Sequence, residues 1–200
     1  MSRVIVTVLY EDQRGPVRGF GLHELAWRCV FDDVDHDPWV CRSSMEARPM
    51  KGISKLLHAN REDVPAIAAD GRRVVAVIDD DAIRRELDLP QDAAREDVIT
   101  AVLQQCRAPE VLDVVLLEEN AETVVSAVAA CDHGLRLGLL ERALRKGRGA
   151  LAARDELLHG AAWGPAGTRA CVRQAVPSFD GFVAVLASLV RPALSPAAES

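Results

Sequence analysis

Aromatic residues are scarce in this chain: four phenylalanines, three tryptophans and one tyrosine among 200 residues. A strong platform for stacking nucleobases is therefore not expected. The five cysteines (Cys29, Cys41, Cys106, Cys131 and Cys171) are odd in number, widely spaced and never in a Cys-x-x-Cys pair. Neither a disulfide framework nor a zinc site follows from such a pattern, and reduced thiols are the default. No apolar run approaches the roughly 20 residues that cross a bilayer. Met1-Ser2-Arg3 passes directly into a short strand-like run with no longer apolar core of a signal peptide, so the expectation is a soluble, cytoplasmic protein that does not engage a membrane. Positive charge is not in excess either: 24 Lys and Arg against 30 Asp and Glu leave a net charge of −6. That balance argues against coating nucleic acid by bulk electrostatics, although a local basic face remains compatible with it.

Several catalytic signatures are missing as well. The glycine-rich stretch from Gly15 to Gly21 has no Gly-Lys-Ser/Thr and is not a phosphate-binding P-loop. His23, His36, His58, His133 and His159 show no metal-ligand spacing, and no Gly-x-Ser-x-Gly elbow accompanies them. Asp32-Asp33-Val34-Asp35-His36-Asp37-Pro38 lacks the glycine and distal glutamate of a calcium loop and reads as a solvated turn.

What the chain does have is a repeated pairing of buried strand and acid. Arg72-Arg73-Val74-Val75-Ala76-Val77-Ile78 runs apolar into Asp79-Asp80-Asp81, as expected of a strand buried on both faces of a parallel sheet. Val4 to Tyr10 is a second such strand and ends on Glu11-Asp12. Val111 to Leu117 is another, delivering Glu118 and Glu119, with Glu122 inside the following helix. A short strand is also expected over Trp39-Val40-Cys41-Arg42. Helical spacing is expected over Leu22 to Val30, Gly52 to Ala59, Asp92 to Cys106 and Ala121 to Ala130, with a short helix or turn over Ala82 to Leu87. Strands alternating with helices imply right-handed crossovers and an α/β fold with a mostly parallel sheet. In such sheets, ligands collect at the C-terminal edge of the strands. Any one acidic strand end is explained by helix capping; three on one edge crowd negative charge unless a cation or a raised pKa relieves it.

Beyond residue 132 the composition changes. Leu135 to Leu158 reads as one or two Arg-rich helices, His159 to Gly167 as a loop, Phe182 to Val190 as a final apolar helix, and Arg191 to Ser200 as a frayed tail. The expected organisation is a core over residues 1–132 with a helical C-terminal subdomain over 133–200 packed on it. Arg142, Arg145, Lys146 and Arg148 are the candidate contacts to a nucleic-acid backbone, set against the plainer reading of a solvated helix face.

A first strand ending in Glu11, a helical crossover, and a later strand ending in Asp79-x-Asp81 resembles the Toprim domain of topoisomerases, primases and old-type nucleases. The chain looks most like small stand-alone bacterial Toprim-like proteins. Gly52-Ile53-Ser54 resembles their Gly-x-Ser helix start, Glu119-Asn120-Ala121-Glu122 their Glu-x-x-Glu-like segment, and Pro177 to Phe182 the opening of their last helix. In that family a glycine usually follows the first glutamate directly; here Asp12 follows and Gly15 comes later. The resemblance implies a Toprim-like, Rossmann-like sheet flanked by helices. It further implies Mg²⁺ or Mn²⁺ held by Asp79 and Asp81, with Glu118, Glu119 or Glu122 as a further contact, and Glu11 as the proton-transfer group. The implied activity is phosphodiester cleavage or phosphoryl transfer on nucleic acid, in a setting such as bacterial defence and with a partner ATPase or other protein. Two alternatives carry weight: a non-catalytic Toprim-like scaffold in a larger assembly, and a receiver-like phosphoacceptor module. The receiver pattern fits less well, because the acidic cluster follows a late strand and no lysine ends the last one.

Overall fold

The computed structural model describes residues 4–11, 21–34, 37–118, 120–132, 137–145 and 148–194. Three runs of β-branched and aliphatic residues become the strands β1 (Val6–Tyr10), β3 (Arg73–Asp79) and β4 (Leu112–Leu117). The fourth strand, β2 (Met45–Pro49), is built from residues with little intrinsic β preference. Pairing makes it a strand: Val6 sits opposite Met45 and Tyr10 opposite Pro49 along the edge of β1. Its terminal proline is tolerated at that edge position.

The sheet is parallel throughout, in the order β2-β1-β3-β4. Helices α1 (Gly21–Val34) and α2 (Pro38–Ser43) connect β1 to β2, and α3 (Ile53–Ala69) carries the chain back past β1 to β3. The direction of winding therefore reverses between β1 and β3, which makes the crevice above these two strands the topological switch point. After β3 come α4 (Asp80–Glu86) and α5 (Arg95–Gln104). After β4 come α6 (Asn120–Cys131), α7 (Leu137–Leu144), α8 (Arg148–Trp163), α9 (Ala166–Ala175) and α10 (Pro177–Leu194). The protein is thus an α/β protein whose parallel sheet is flanked by helices and followed by a helical C-terminal part.

Alternation along the strands separates two apolar layers. Val6, Val8, Tyr10, Val75 and Val77 face α1, α6 and α8 to α10, whose Trp27, Val128, Leu157, Val172, Phe179 and Phe182 join one cluster. Leu9, Val74, Ala76 and Ile78 face α3 to α5, with Leu56, Ile83, Val98 and Val102. The helices after residue 133 therefore share their core with α1 and the sheet rather than closing a separate one.

Three local differences from the sequence reading have physical causes. Trp39 to Arg42 is helical, because the Asp37 carboxylate accepts hydrogen bonds from the N–H groups of Trp39 and Val40 at 2.9 and 3.1 Å and Pro38 occupies the first turn. The segment from His159 is not a loop: α8 continues to Trp163 and the break comes only at Gly164-Pro165. The last helix begins at Pro177 and includes Arg191; residues 195–200 lie outside the described residues. A fourth difference is covalent: Cys131 at the end of α6 and Cys171 in α9 form a disulfide. Cys29, Cys41 and Cys106 remain thiols, all buried. Burial pushes the Cys29 thiol up to about 12 and that of Cys41 to about 11, so neither is a nucleophile at neutral pH.

Candidate active site at the switch point

Parallel pairing carries β1 and β3 side by side to the same edge, with Tyr10 opposite Val77. Glu11, the next residue, continues that ladder: its N–H donates to the carbonyl of Val77 at 3.3 Å and its carbonyl accepts from the N–H of Gly52 at 2.7 Å. Its carboxylate turns toward β3, where Oε2 accepts a hydrogen bond from the N–H of Asp79 at 3.1 Å. Glu11 and Asp79, 68 residues apart in the chain, thus meet at the switch point.

The other acids are each held by an arginine. Asp80 and Asp81 form the first turn of α4, where acid is favoured by the helix dipole. Asp80 Oδ2 accepts from Arg84 Nε at 3.0 Å, and the same guanidinium donates to the carbonyls of Pro90 and Ala93. Asp81 is 66% exposed and lies against Arg85, also at 3.0 Å. Glu118 accepts from Arg95 at 2.6 Å, and Arg95 also donates to the carbonyl of Leu116. Glu122 pairs with Arg154 of α8. Glu119 lies outside the described residues. Among the expected metal ligands, then, Asp79 stands beside Glu11, while Asp81, Glu118 and Glu122 are engaged elsewhere. No group of three or more His, Cys, Asp or Glu side chains among the described residues is arranged to hold a metal ion.

Two features bear on the fit of these donors to Mg²⁺ or Mn²⁺. One oxygen of Asp80, Oδ1, is buried with no hydrogen-bond partner among the described residues. Mg²⁺ in phosphate-handling sites commonly takes only one or two carboxylates and completes its shell with water and substrate oxygens. Glu11 and Asp79 are the pair of acids that the fold brings together at this edge; Asp81 would have to leave Arg85.

The same edge offers positive groups. Lys51 and Gly52 hold left-handed backbone at φ 63° and 123°, and α3 starts immediately after them. Gly52 is the residue type that turn demands. The N-terminus of α3 therefore points at the edge beside Glu11, with Lys51 and Lys55 exposed next to it. Ser54, from the Gly-x-Ser stretch, donates instead to Glu86 at 2.7 Å.

The basic candidates lie elsewhere. Arg142 and Arg145 are exposed at the end of α7. The nearest polar contact of Arg142 is the carbonyl of Gly138, one turn back. Lys146 and the side chain of Arg148 lie outside the described residues. Composition gave no sign of a different gathering: all three tryptophans meet on the flank formed by α1, α2 and α8. Trp27 and Trp163 stack edge to face with centroids 5.8 Å apart, and Arg28 and Arg42 cover the rings of Trp163, Trp27 and Trp39. The Trp27-Arg28 dipeptide and the Trp39…Arg42 spacing are its only trace in the sequence.

No family model, no curated protein and no solved structure matches this chain. No single helix among the described residues is long and apolar enough to cross a membrane.

Proposed function

We propose that the protein is a metal-dependent enzyme of phosphodiester cleavage or phosphoryl transfer on nucleic acid, centred on Glu11 and Asp79 at the switch point of a Toprim-like sheet. The observation that carries this reading is the contact of the Glu11 carboxylate with the Asp79 N–H, which brings the acids ending two separate strands to one place. Asp79 would hold Mg²⁺ or Mn²⁺, which when bound neutralises phosphate charge and activates water. Glu11, oriented by its hydrogen bond to β3, is placed to hold or receive a proton beside it. The α3 N-terminus with Lys51 and Lys55 supplies the positive groups of this edge, where a phosphate would be favoured.

A second reading is a non-catalytic scaffold that keeps this sheet for assembly with a partner protein. It is favoured by the arginines already neutralising Asp80, Asp81, Glu118 and Glu122. In that reading the acids serve the fold.

Isothermal titration with Mn²⁺, alongside a cleavage assay on single- and double-stranded DNA and RNA, separates the two. The enzyme reading expects saturable binding and cleavage in the wild type, both lost in Asp79→Ala, with circular dichroism unchanged. Asp81→Ala, run beside it, distinguishes a centre on Asp79 alone from the Asp79/Asp81 pair that the resemblance implies. A folded wild type that neither binds Mn²⁺ nor cleaves any of the four substrates leaves the scaffold reading standing.

A further inference from the structure

The flank formed by α1, α2 and α8 carries a surface that the fold does not need. Trp39 is 63% and Trp163 45% exposed, the two most conspicuous aromatic exposures among the described residues. Between them the guanidiniums and rings alternate. Arg42 lies 5.9 Å from the ring centre of Trp39 and 6.0 Å from that of Trp27, and Arg28 lies 5.3 Å from Trp27 and 4.8 Å from Trp163. A burial-driven contact would cover these indoles; here two of the three present themselves to solvent.

The charge on this surface is available. Arg28 makes no ion pair among the described residues: its Nε donates to the carbonyl of Ala162 at 3.1 Å and its two terminal nitrogens have no hydrogen-bond partner there. Arg42 shares its charge with Glu24. Three acids nearby among the described residues are committed. Asp32 is tied to Arg169, Asp33 to Arg173, and Asp37 caps α2.

The direction of the surface matters as much as its content. The Tyr10 hydroxyl lies 3.0 Å from His23 Nδ1, and the Gly21 N–H donates to Asp155 at 2.6 Å. The start of α1 and the middle of α8 therefore lie beside each other on the face of the sheet that Tyr10 shares with them. Trp27 and Trp163 follow further along those two helices, and Trp39 follows beyond α1 on α2. The row thus crosses the later parts of α1 and α8 and reaches α2, which runs directly into β2 at Met45, opposite Val6 at the N-terminal end of β1.

We propose that the row Trp39, Arg42, Trp27, Arg28 and Trp163 is a docking track for single-stranded nucleic acid, the exposed indoles stacking on bases and Arg28 meeting the backbone phosphate. Stacking on an exposed ring requires bases already out of a duplex, which restricts the ligand to single strands. A local contact of this kind is compatible with the chain's net charge of −6, which disfavours broad electrostatic binding. The binding itself does not depend on the proposed function.

Because every tryptophan of the chain is in the row, intrinsic tryptophan fluorescence reports it directly. Quenching and fluorescence anisotropy are measured with a labelled oligothymidylate of about 12 nucleotides, a length within the site sizes of such grooves, in EDTA so that no metal chemistry contributes. The wild type should bind the single strand with quenching, bind the matching duplex at least about tenfold more weakly, and lose affinity as salt rises. Trp39→Ala and Trp163→Ala should each weaken binding about 5- to 100-fold, Trp39→Phe should restore part of it, and Arg28→Ala should weaken it and flatten the salt dependence. Absence of quenching, or affinity unchanged in both alanine variants, overturns the proposal. So does quenching by polyglutamate without any by the oligonucleotide, which would assign the surface to an acidic protein partner. Binding that obeys these expectations without any cleavage by the wild type keeps the track and removes the enzyme reading. Cleavage with Mg²⁺ that is indifferent to the alanine variants does the reverse.

Discussion

Against one face of the sheet, α3 and α5 lay mostly aliphatic side chains such as Leu56, Val64, Val98 and Val102. Against the other, α1 and the C-terminal helices carry charge and polar chemistry into the interior. Arg169 is 4% exposed and grips Asp32 through two parallel bonds at 2.6 and 2.8 Å, while also donating to the carbonyls of Ala162 and Gly164. The Tyr10 hydroxyl meets His23, and Glu24 accepts from the Trp27 indole N–H and from Arg42. The disulfide lies on this side as well. The difference teaches that the first face is held mainly by area removed from water. The second depends on specific partners, so pH and redox state act through it.

The contrast is broken most strongly through the disulfide. It joins residues 40 apart in sequence and tethers α6 to α9. Closing a loop of that size removes denatured-state entropy worth about 4 kcal/mol. Urea unfolding with and without reductant, and of a Cys131→Ser/Cys171→Ser double variant, should show a loss of that order; a loss below about 1 kcal/mol would mean that α9 is held by its arginines alone.

Removing one partner of the Arg169–Asp32 ion pair comes next. Arg169→Met leaves Asp32 without its guanidinium and the carbonyl of Gly164 without its donor, and should cost about 3 kcal/mol, at the low end for a buried pair because Asp32 is 26% exposed. Combining it with Asp32→Leu should recover much of the loss, since the cost lies in the orphaned charge.

Acid tests the same face by another route. Burial lowers the pKa of His23 from 6.5 to about 4, so the folded protein keeps the ring neutral where the unfolded chain would protonate it. The unfolded state then binds more protons, and stability falls as pH drops. The His23 contribution is whole above about pH 6.5 and lost by about pH 4, an effect of about 3 kcal/mol at most. His23→Phe should flatten this part of a stability–pH profile, and a wild-type profile already flat between those limits would show that the ring is solvated.

The smallest expected effect lies on the apolar face and has the opposite sign. Asn60 of α3 is fully buried, and among the described residues neither its amide nitrogen nor its side-chain oxygen has a hydrogen-bond partner. Replacing it with leucine removes an unpaired polar group and should stabilise the protein by about 1 kcal/mol. Destabilisation would point instead to an internal water that the amide serves.

The strands most legible in the sequence were those whose residues are buried on both sides, β1, β3 and β4, because continuous apolar runs leave no other arrangement. β2 was invisible because Met45 to Pro49 carries no such signal and is made a strand by its neighbour. The helix over Trp39 to Arg42 was misjudged because one capping carboxylate at Asp37 outweighed local β preference. At the candidate site, the acids at the strand ends could be named, but not their fates. Asp79 and Glu11 meet across β1 and β3, whereas Asp81, Glu118 and Glu122 find arginines whose positions depend on how α4, α5 and α8 pack.

By itself, the order of apolar runs and acidic strand ends determined a parallel α/β sheet with carboxylates at one edge, since local burial pattern and right-handed crossover constrain both. Only the tertiary structure decided which carboxylates stay together, which cysteines bond, and that three scattered tryptophans share one surface. Those outcomes are pairings between residues distant in the chain, and pairing depends on the relative placement of elements, which no local periodicity encodes.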